Sequence, residues 1–199
     1  MKSNIFLTKV LLSVILSTTG LGAHAFSVDD VTYNGLSADA AQYLTGNDSS
    51  TSINALGGSF IGDIWTFLDK NEAGSSTEIE GVTFNVGLGI NSGEYTLSWD
   101  ATGTPGLPLT MDFVFVDKAG PSYGAYLFEA EVFTSNPLSG TGTFDISWTN
   151  GGTNTPDLSH ISIYGRAINN SEVLEPGPLS LLGMGLLALG LTRRKQQTS

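Results

Sequence analysis

The segment Leu109–Val116, with the sequence LTMDFVFV, says more about the fold than any other part of this 199-residue chain. Its apolar residues fall on nearly both faces of an extended strand, and they include the aromatic and β-branched types that strands favour. A run of this kind is expected for the central strand of a sheet.

Short runs with period-two alternation lie on both sides of this segment. In Phe144–Trp148, for example, Phe144, Ile146 and Trp148 share one face. Turn residues at Asn91–Gly93 and Asn150–Gly152 separate such runs. We predict strands at Phe60–Phe67, Val82–Val86, Glu94–Trp99, Leu109–Val116, Tyr123–Phe133, Phe144–Trp148 and His160–Ala167, with one helical turn around Ala38–Leu44. The pattern predicts an all-β fold: a single antiparallel β-sandwich, jelly-roll-like in its connections.

The first residues resemble an export signal in their composition. Lys2 and Lys9 precede an apolar run from Val10 to Leu16, and Ala23 and Ala25 supply the small-x-small cleavage pattern. The sequence therefore predicts a signal peptide at residues 1–25 and a mature chain that begins at Phe26.

The last residues form a proline break, an apolar stretch and a basic cluster. Leu179–Leu191 carries no charge, and its 13 residues would form a helix of roughly 20 Å against a hydrocarbon core of roughly 30 Å. Pro176 and Pro178 set its start, and Arg193, Arg194 and Lys195 favour a cytoplasmic end. We predict a short transmembrane helix at 179–191.

This tail resembles the PEP-CTERM sorting domain of Gram-negative bacteria; tails of this kind are also called ice-binding protein C-terminal domains. Glu175 and Pro176 match its Glu-Pro, and Arg193, Arg194 and Lys195 match its basic end, whereas Leu174 stands where the family has its first proline. The resemblance implies recognition by an exosortase-like processing enzyme and a transient stay in the inner membrane. It further implies release to the cell surface or extracellular space. There the protein would have a role in biofilm or in a matrix that contains exopolysaccharide.

A second resemblance concerns the segment between the two signals. Four segments are similar to a recurring ectodomain of PEP-CTERM proteins: Phe115–Gly120, Tyr123–Phe128, Gly142–Trp148 and Leu158–Tyr164. This likeness implies the same fold and export, with no activity attached to it.

We predict an ectodomain at residues 26–172 and the sorting tail at 173–199. The composition of the ectodomain excludes some classes of function. From Phe26 to Pro176 only Lys70, Lys118 and Arg166 oppose all 19 acidic residues, which gives a formal charge of −16. Such a surface repels nucleic acid and anionic lipid. The chain has no cysteine, so disulfides and thiol chemistry are excluded.

Catalytic candidates are few. His160 is the only histidine left after signal removal, and we expect a structural hydrogen-bonding role for it. Glu129 and Glu131 are two apart on a predicted strand, which places them on one face about 7 Å apart, near the spacing of glycosidase carboxylates. Glu78 and Glu80 form a similar pair. We expect no catalytic residues, and a small glycoside hydrolase stays the less favoured alternative.

Binding candidates are more numerous. The oxygen-rich loop Asn150–Asp157 and the pair Asp29-Asp30 are weak calcium candidates, and we expect neither a metal nor a cofactor. Thr141 and Thr143 are a single Thr-Gly-Thr, too little for an ice-binding array. A sugar-stacking platform is the main alternative to a structural matrix role, and it would use Trp65, Trp99, Trp148, Tyr123, Tyr126 and Tyr164.

Overall fold

The computed structural model describes residues 25–72, 76–149 and 153–168. Two five-stranded antiparallel sheets make up this part of the chain, which is therefore an all-β sandwich. The strands are β1 (Val31–Tyr33), β2 (Leu36–Ser37), β3 (Ala40–Thr45), β4 (Thr66–Lys70), β5 (Val82–Leu88), β6 (Glu94–Ala101), β7 (Leu109–Ala119), β8 (Ser122–Phe133), β9 (Ser139–Phe144) and β10 (Leu158–Ala167).

The first sheet has the order β2-β1-β9-β6-β5, and the second has the order β3-β8-β7-β10-β4. Three hairpins, β1–β2, β5–β6 and β7–β8, each stay within one sheet. The turn of the β5–β6 hairpin contains Gly93, whose φ of 79° lies in the left-handed region that favours glycine.

The main core lies between the two sheets. Along β7, Phe113 and Phe115 point into this core, while Val114 and Val116 point to the other side of the second sheet. The core is rich in aromatic contacts, such as the stacked rings of Phe113 and Phe128 at 4.8 Å.

The outer side of the second sheet is also buried, because a segment of the chain crosses it. This covering segment, Ser49–Trp65, contains helix α1 (Ser50–Ile53), which is capped at its start by Ser49. Four of its side chains pack on the sheet and form a second apolar cluster: Ile53, Leu56, Phe60 and Trp65. The central strand β7 is thereby covered on both faces, as its sequence predicts.

Three predictions about local structure are wrong. Ala38–Leu44 does not contain a helical turn, because β3 occupies Ala40–Thr45 and pairs with β8. Phe60–Phe67 is mostly covering segment, and the strand begins only at Thr66. Phe144–Trp148 extends beyond β9, which ends at Phe144; Trp148 instead packs against Phe26 and Tyr43. The predicted turn at Asn150–Gly152 lies outside the described residues.

Candidate functional site: the hydroxyl face of the first sheet

The first sheet has one side in the core and one side in solvent. Its register places hydroxyl side chains from four neighbouring strands on the solvent side, opposite the core positions. We call this surface the hydroxyl face, and its hydroxyl groups belong to Thr32, Thr83, Thr96, Ser98, Ser139, Thr141 and Thr143. The exposed Asp100 also lies on it, opposite Thr83.

Glycines on β9 explain why this face is regular. A side chain at Gly140 would clash with the ring of Tyr33, and one at Gly142 would clash with Tyr95 and the Thr32 carbonyl. The two tyrosines fill the inner side of the strand, so only the intervening threonines carry side chains outward. The Thr-Gly-Thr sequence is thus a packing pattern of the sandwich.

The hydroxyl groups lie close enough to act together. Thr32 Oγ1 and Thr143 Oγ1 are 2.8 Å apart across β1 and β9, and Thr96 lies opposite Thr141 across β6 and β9. Neighbouring strands are about 4.8 Å apart and alternate residues along a strand are about 7 Å apart. The face is therefore a two-dimensional grid of hydrogen-bonding groups, with members from β1, β5, β6 and β9.

One end of the hydroxyl face is concave. A depression of about 550 Å³ is lined by four threonines of the grid, by Glu94 and by the apolar Leu88 and Ile90 of the β5–β6 hairpin. A second depression of about 770 Å³ lies beyond the same hairpin and reaches Asp157 and Leu158. Leu88 is half exposed and Ile90 is fully exposed. An apolar wall therefore stands beside the hydroxyl grid.

Glu94 is the one carboxylate in the smaller depression. Asn91 Nδ2 donates to both of its oxygens at 2.9 Å, which fixes the carboxylate at the rim. The depression thus combines hydroxyl groups, an amide and a carboxylate with an apolar wall. This combination suits a ligand rich in hydroxyl groups, because such ligands have both hydrogen-bonding edges and C–H faces.

The six aromatic residues do not form the sugar-stacking platform that was the alternative to a structural role. Trp65, Trp99 and Trp148 are exposed by only 2, 5 and 7%, and Tyr123, Tyr126 and Tyr164 are equally buried. Two of the indole N–H groups donate to backbone carbonyls inside the protein, those of Phe60 and Thr134. These rings belong to the core, so none of them is available to stack on a sugar.

His160 lies on the outer side of the second sheet, where it contacts a single carboxylate. Its Nε2 is 2.9 Å from Asp48 Oδ1, while Ser162 Oγ donates to Asp48 Oδ2 at 2.8 Å. The Tyr164 hydroxyl donates to the Asp48 carbonyl oxygen at 2.8 Å. Burial alone would raise the pKa of Asp48, but the hydrogen bonds from His160 and Ser162 outweigh it and lower that pKa. His160 thus holds the start of the covering segment on β10, the structural role expected from the sequence.

Glu129 and Glu131 do not share a face. Ala130 between them has a φ of 54°, and the register of β7 with β8 shifts at this point. After this bulge Glu131 is opposite the core residue Met111, on the inner side, whereas Glu129 follows Leu127 on the outer side. Burial, and then the charge of Asp39, raise the pKa of Glu131. The bulge removes the glycosidase-like pair.

Glu78 and Glu80 lie in an irregular turn. Glu78 accepts a hydrogen bond of 2.7 Å from Thr102 Oγ1, and Glu80 has a φ of 50°. Alternation along a strand therefore does not relate them.

The calcium candidates have other partners in the described chain. Asp29 accepts from Ser37 Oγ at 2.8 Å, and Asp30 accepts from Ser147 Oγ at 2.6 Å. Asp157 is exposed, and Asn150–Gly152 lie outside the described residues. Among the residues that the structure describes, no three His, Cys, Asp or Glu side chains could together hold a metal ion.

The targeting residues lie almost entirely outside the described ranges. Ala25 is described and exposed. The structure does not describe Ala23, Glu175, Pro176, Arg193, Arg194 or Lys195. No helix within residues 25–72, 76–149 and 153–168 is both long and apolar enough to cross a membrane; the predicted helix 179–191 falls beyond them.

The hydroxyl face was missed in the sequence because its members come from four separate strands. The visible signal was the alternation of Thr or Ser with Gly or apolar residues in Ser139–Thr143 and Thr96–Ser98. Comparison of the chain with protein-family models, with curated proteins and with solved structures gave no match.

Proposed function

We propose that this chain is an exported protein of the cell surface or extracellular matrix, without catalytic activity, whose hydroxyl face binds exopolysaccharide. The observation that carries the binding part is the grid of Thr and Ser side chains beside the depression at the β5–β6 hairpin. The grid offers donors and acceptors to sugar hydroxyls, and Leu88 and Ile90 offer an apolar contact for the C–H face of a sugar ring.

The charge of the ectodomain selects among polysaccharides. With three basic and 19 acidic residues between Phe26 and Pro176, an acidic polysaccharide would be repelled over the whole surface. The ligand class that fits is a neutral polysaccharide.

Affinity electrophoresis tests this binding. The protein is run through gels that contain a neutral α-glucan, a neutral β-glucan or alginate, and its retardation gives the affinity. The double variant Thr96→Val/Thr141→Val keeps the shape of both residues and removes two hydroxyls of the grid. We expect about tenfold weaker retardation by a neutral glucan, since each lost hydrogen bond is worth about 0.5–1.5 kcal/mol.

A matched control uses two exposed threonines outside the hydroxyl face. Thr45 is on β3 of the second sheet, and Thr77 precedes β5. Thr45→Val/Thr77→Val should be retarded like the natural protein. Equal retardation of both double variants, or no retardation of the natural protein by either neutral glucan, would contradict the proposal.

The route to the surface is the second part of the proposal. A signal peptide at 1–25 is removed after Ala25, and the tail is held in the inner membrane by 179–191 until an exosortase-like enzyme acts near Glu175 and Pro176. The support is the order of proline break, apolar stretch and basic cluster in the sequence. The membrane helix and the jelly-roll-like connections stay predictions.

Intact mass after fractionation of the producing cells tests this route. A mass that ends near Pro176 in the surface or medium fraction is expected, with the mature start at Phe26. Replacing Arg193, Arg194 and Lys195 by Gln removes the charges that hold the tail end in the cytoplasm, and should alter processing. An unchanged mature mass and location in that triple variant would contradict the assigned topology.

A further inference from the structure

A loop of the covering segment lies beside the end of β10, close to the last residue that the structure describes. Arg166, one residue before the end of β10, donates from Nη1 to the Phe60 carbonyl oxygen at 3.2 Å, and its guanidinium lies 4.2 Å from the centre of the Trp65 ring. Arg166 Nε also bonds Asp112 at 2.8 Å. The segment from Phe60 to Trp65 is therefore fixed against the end of β10.

Two isoleucines of this loop point away from the protein. Ile61 and Ile64 are 70% and 79% exposed, although Phe60 and Trp65 on either side of them are 2% exposed. The buried neighbours anchor the backbone, so both isoleucine side chains are presented to the outside together. Exposed apolar side chains that lie together in a fixed loop are a feature of interaction surfaces.

The chain between this loop and the predicted membrane helix is short. Eleven residues separate Ala167 from Leu179, and even when fully extended they span at most about 36–40 Å. A tether of this length keeps the loop at a high effective concentration near the surface in which the tail is embedded. A weak apolar contact would therefore be well populated.

We propose that Ile61 and Ile64 contact the lipid surface in which the tail is inserted. The sandwich would then be oriented with the C-terminal end of β10 toward the membrane until the tail is processed. This inference rests on the proposed membrane insertion of residues 179–191. The occupant is a zwitterionic lipid surface, because the acidic ectodomain and Asp63 within the loop disfavour anionic lipid.

The sandwich contains a matched control at its other end. Ile90 is also fully exposed and in a loop, but it lines the same depression as Leu158, where β10 begins. β10 runs from Leu158 to Ala167, so its two ends are about 30 Å apart. An upright sandwich would therefore keep Ile90 out of contact with lipid.

Site-specific fluorescence tests the contact. The natural chain has no cysteine, so Ile64→Cys and Ile90→Cys can each be labelled with one polarity-sensitive dye. The full chain is reconstituted through its tail into phosphatidylcholine vesicles, and flotation measures insertion separately. We expect a blue shift and quenching by spin-labelled lipid at position 64, and neither at position 90.

Each other outcome overturns the contact in a distinguishable way. Flotation without quenching at position 64 would remove the lipid contact and leave the membrane tail intact. Equal quenching at both positions would mean that the sandwich lies flat on the bilayer. A blue shift at position 64 that grows with protein density, without spin-label quenching, would assign the loop to a second copy of the chain. Failure of the full chain to float would overturn the tail proposal, and the contact with it.

Discussion

Asp48 connects the covering segment to three residues of β10. Its carboxylate contacts His160 and accepts from Ser162, and its carbonyl oxygen accepts from Tyr164. The Asp48 side chain is only 6% exposed, so these contacts are sheltered from water. Loss of this one residue would leave several buried polar groups without their partner.

We expect Asp48→Asn to lower the free energy of unfolding by about 1–3 kcal/mol at pH 7, the usual cost of disturbing a buried hydrogen-bonded group. The pKa of Asp48 is lowered from 3.8 in the folded protein. Its contribution is therefore complete above that value and is lost as the pH falls through the folded pKa. Urea unfolding at pH 7 and at pH 3 measures this, and the gap between variant and natural protein should narrow at pH 3.

Glu72→Gln is the control for this measurement. Glu72 pairs with Lys70 at 2.9 Å on the surface, where ion pairs contribute little to stability. A loss of stability as large as that of Asp48→Asn would mean that a general charge effect, and not the contacts of Asp48, is responsible.

Asp117 is a carboxyl group enclosed in the protein. It is fully buried; Oδ1 accepts from the Gly124 backbone N–H at 3.1 Å, and Oδ2 has no hydrogen bond to the protein. Burial raises the pKa of Asp117 well above its usual range, and the charges of Asp30 and Asp145 act in the same direction. The folded protein therefore holds this proton more tightly than the unfolded chain does.

The sign of the pH dependence follows from this difference. A group whose folded pKa is raised stabilises the protein at low pH and loses that contribution as the pH rises above its unfolded value. Asp117→Asn cannot ionise at this position. We therefore expect the stability of this variant, compared with that of the natural protein, to be higher at pH 8 than at pH 4. Thermal unfolding across this range measures it; parallel curves for the two proteins would contradict the raised pKa.

At the scale of elements, β9 needs glycine at positions 140 and 142, because the rings of Tyr33 and Tyr95 occupy the space of a side chain there. A Cβ at Gly142 would overlap the Thr32 carbonyl oxygen and the Tyr95 ring, whereas nothing lies within 4 Å of a Cβ at Gly87 on β5. We expect Gly142→Ala to cost about 1–3 kcal/mol of stability, typical of overpacking, and Gly87→Ala to cost far less. Urea unfolding compares the two; equal losses would show that the cost comes from backbone flexibility.

The sequence was informative where a strand carries its own apolar pattern. β5, β6, β7, β8 and β10 were each predicted within a few residues of their observed bounds. β7 is the clearest case, because Phe113 and Val114 fill cores on opposite sides of one sheet. The two cores themselves were not foreseen.

The missed elements depend on distant partners. β1 and β2 have three and two residues and exist because β1 pairs with β9. β9 contains two glycines, which lower strand propensity, and their missing side chains are replaced by rings from β1 and β6. The hydroxyl face was invisible for the same reason, since a face that four strands build together has no local pattern in any of them.

At the scale of the whole molecule, the distribution of charge lets short-range contacts at the hydroxyl face be distinguished from long-range repulsion of acidic ligands. The charge of −16 between Phe26 and Pro176 comes from residues spread along the chain, while the hydroxyl face carries neutral groups, Glu94 at its concave end and Asp100 opposite Thr83. On the proposed function, a neutral polysaccharide contacts this face through short-range interactions alone. An acidic polysaccharide must first overcome the field of the whole sandwich.

Salt separates these two cases, because the screening length falls from about 10 Å at 0.1 M to about 3 Å at 1 M ionic strength. We expect retardation by a neutral glucan to change little between these salt concentrations. Retardation by alginate should be absent at 0.1 M and should become measurable only as salt screens the repulsion. Affinity electrophoresis cannot be run at 1 M salt, so sedimentation with the polysaccharide measures both. Binding of alginate that is strongest at low salt would contradict this account, since it would require a basic surface that Lys70, Lys118 and Arg166 are too few to form.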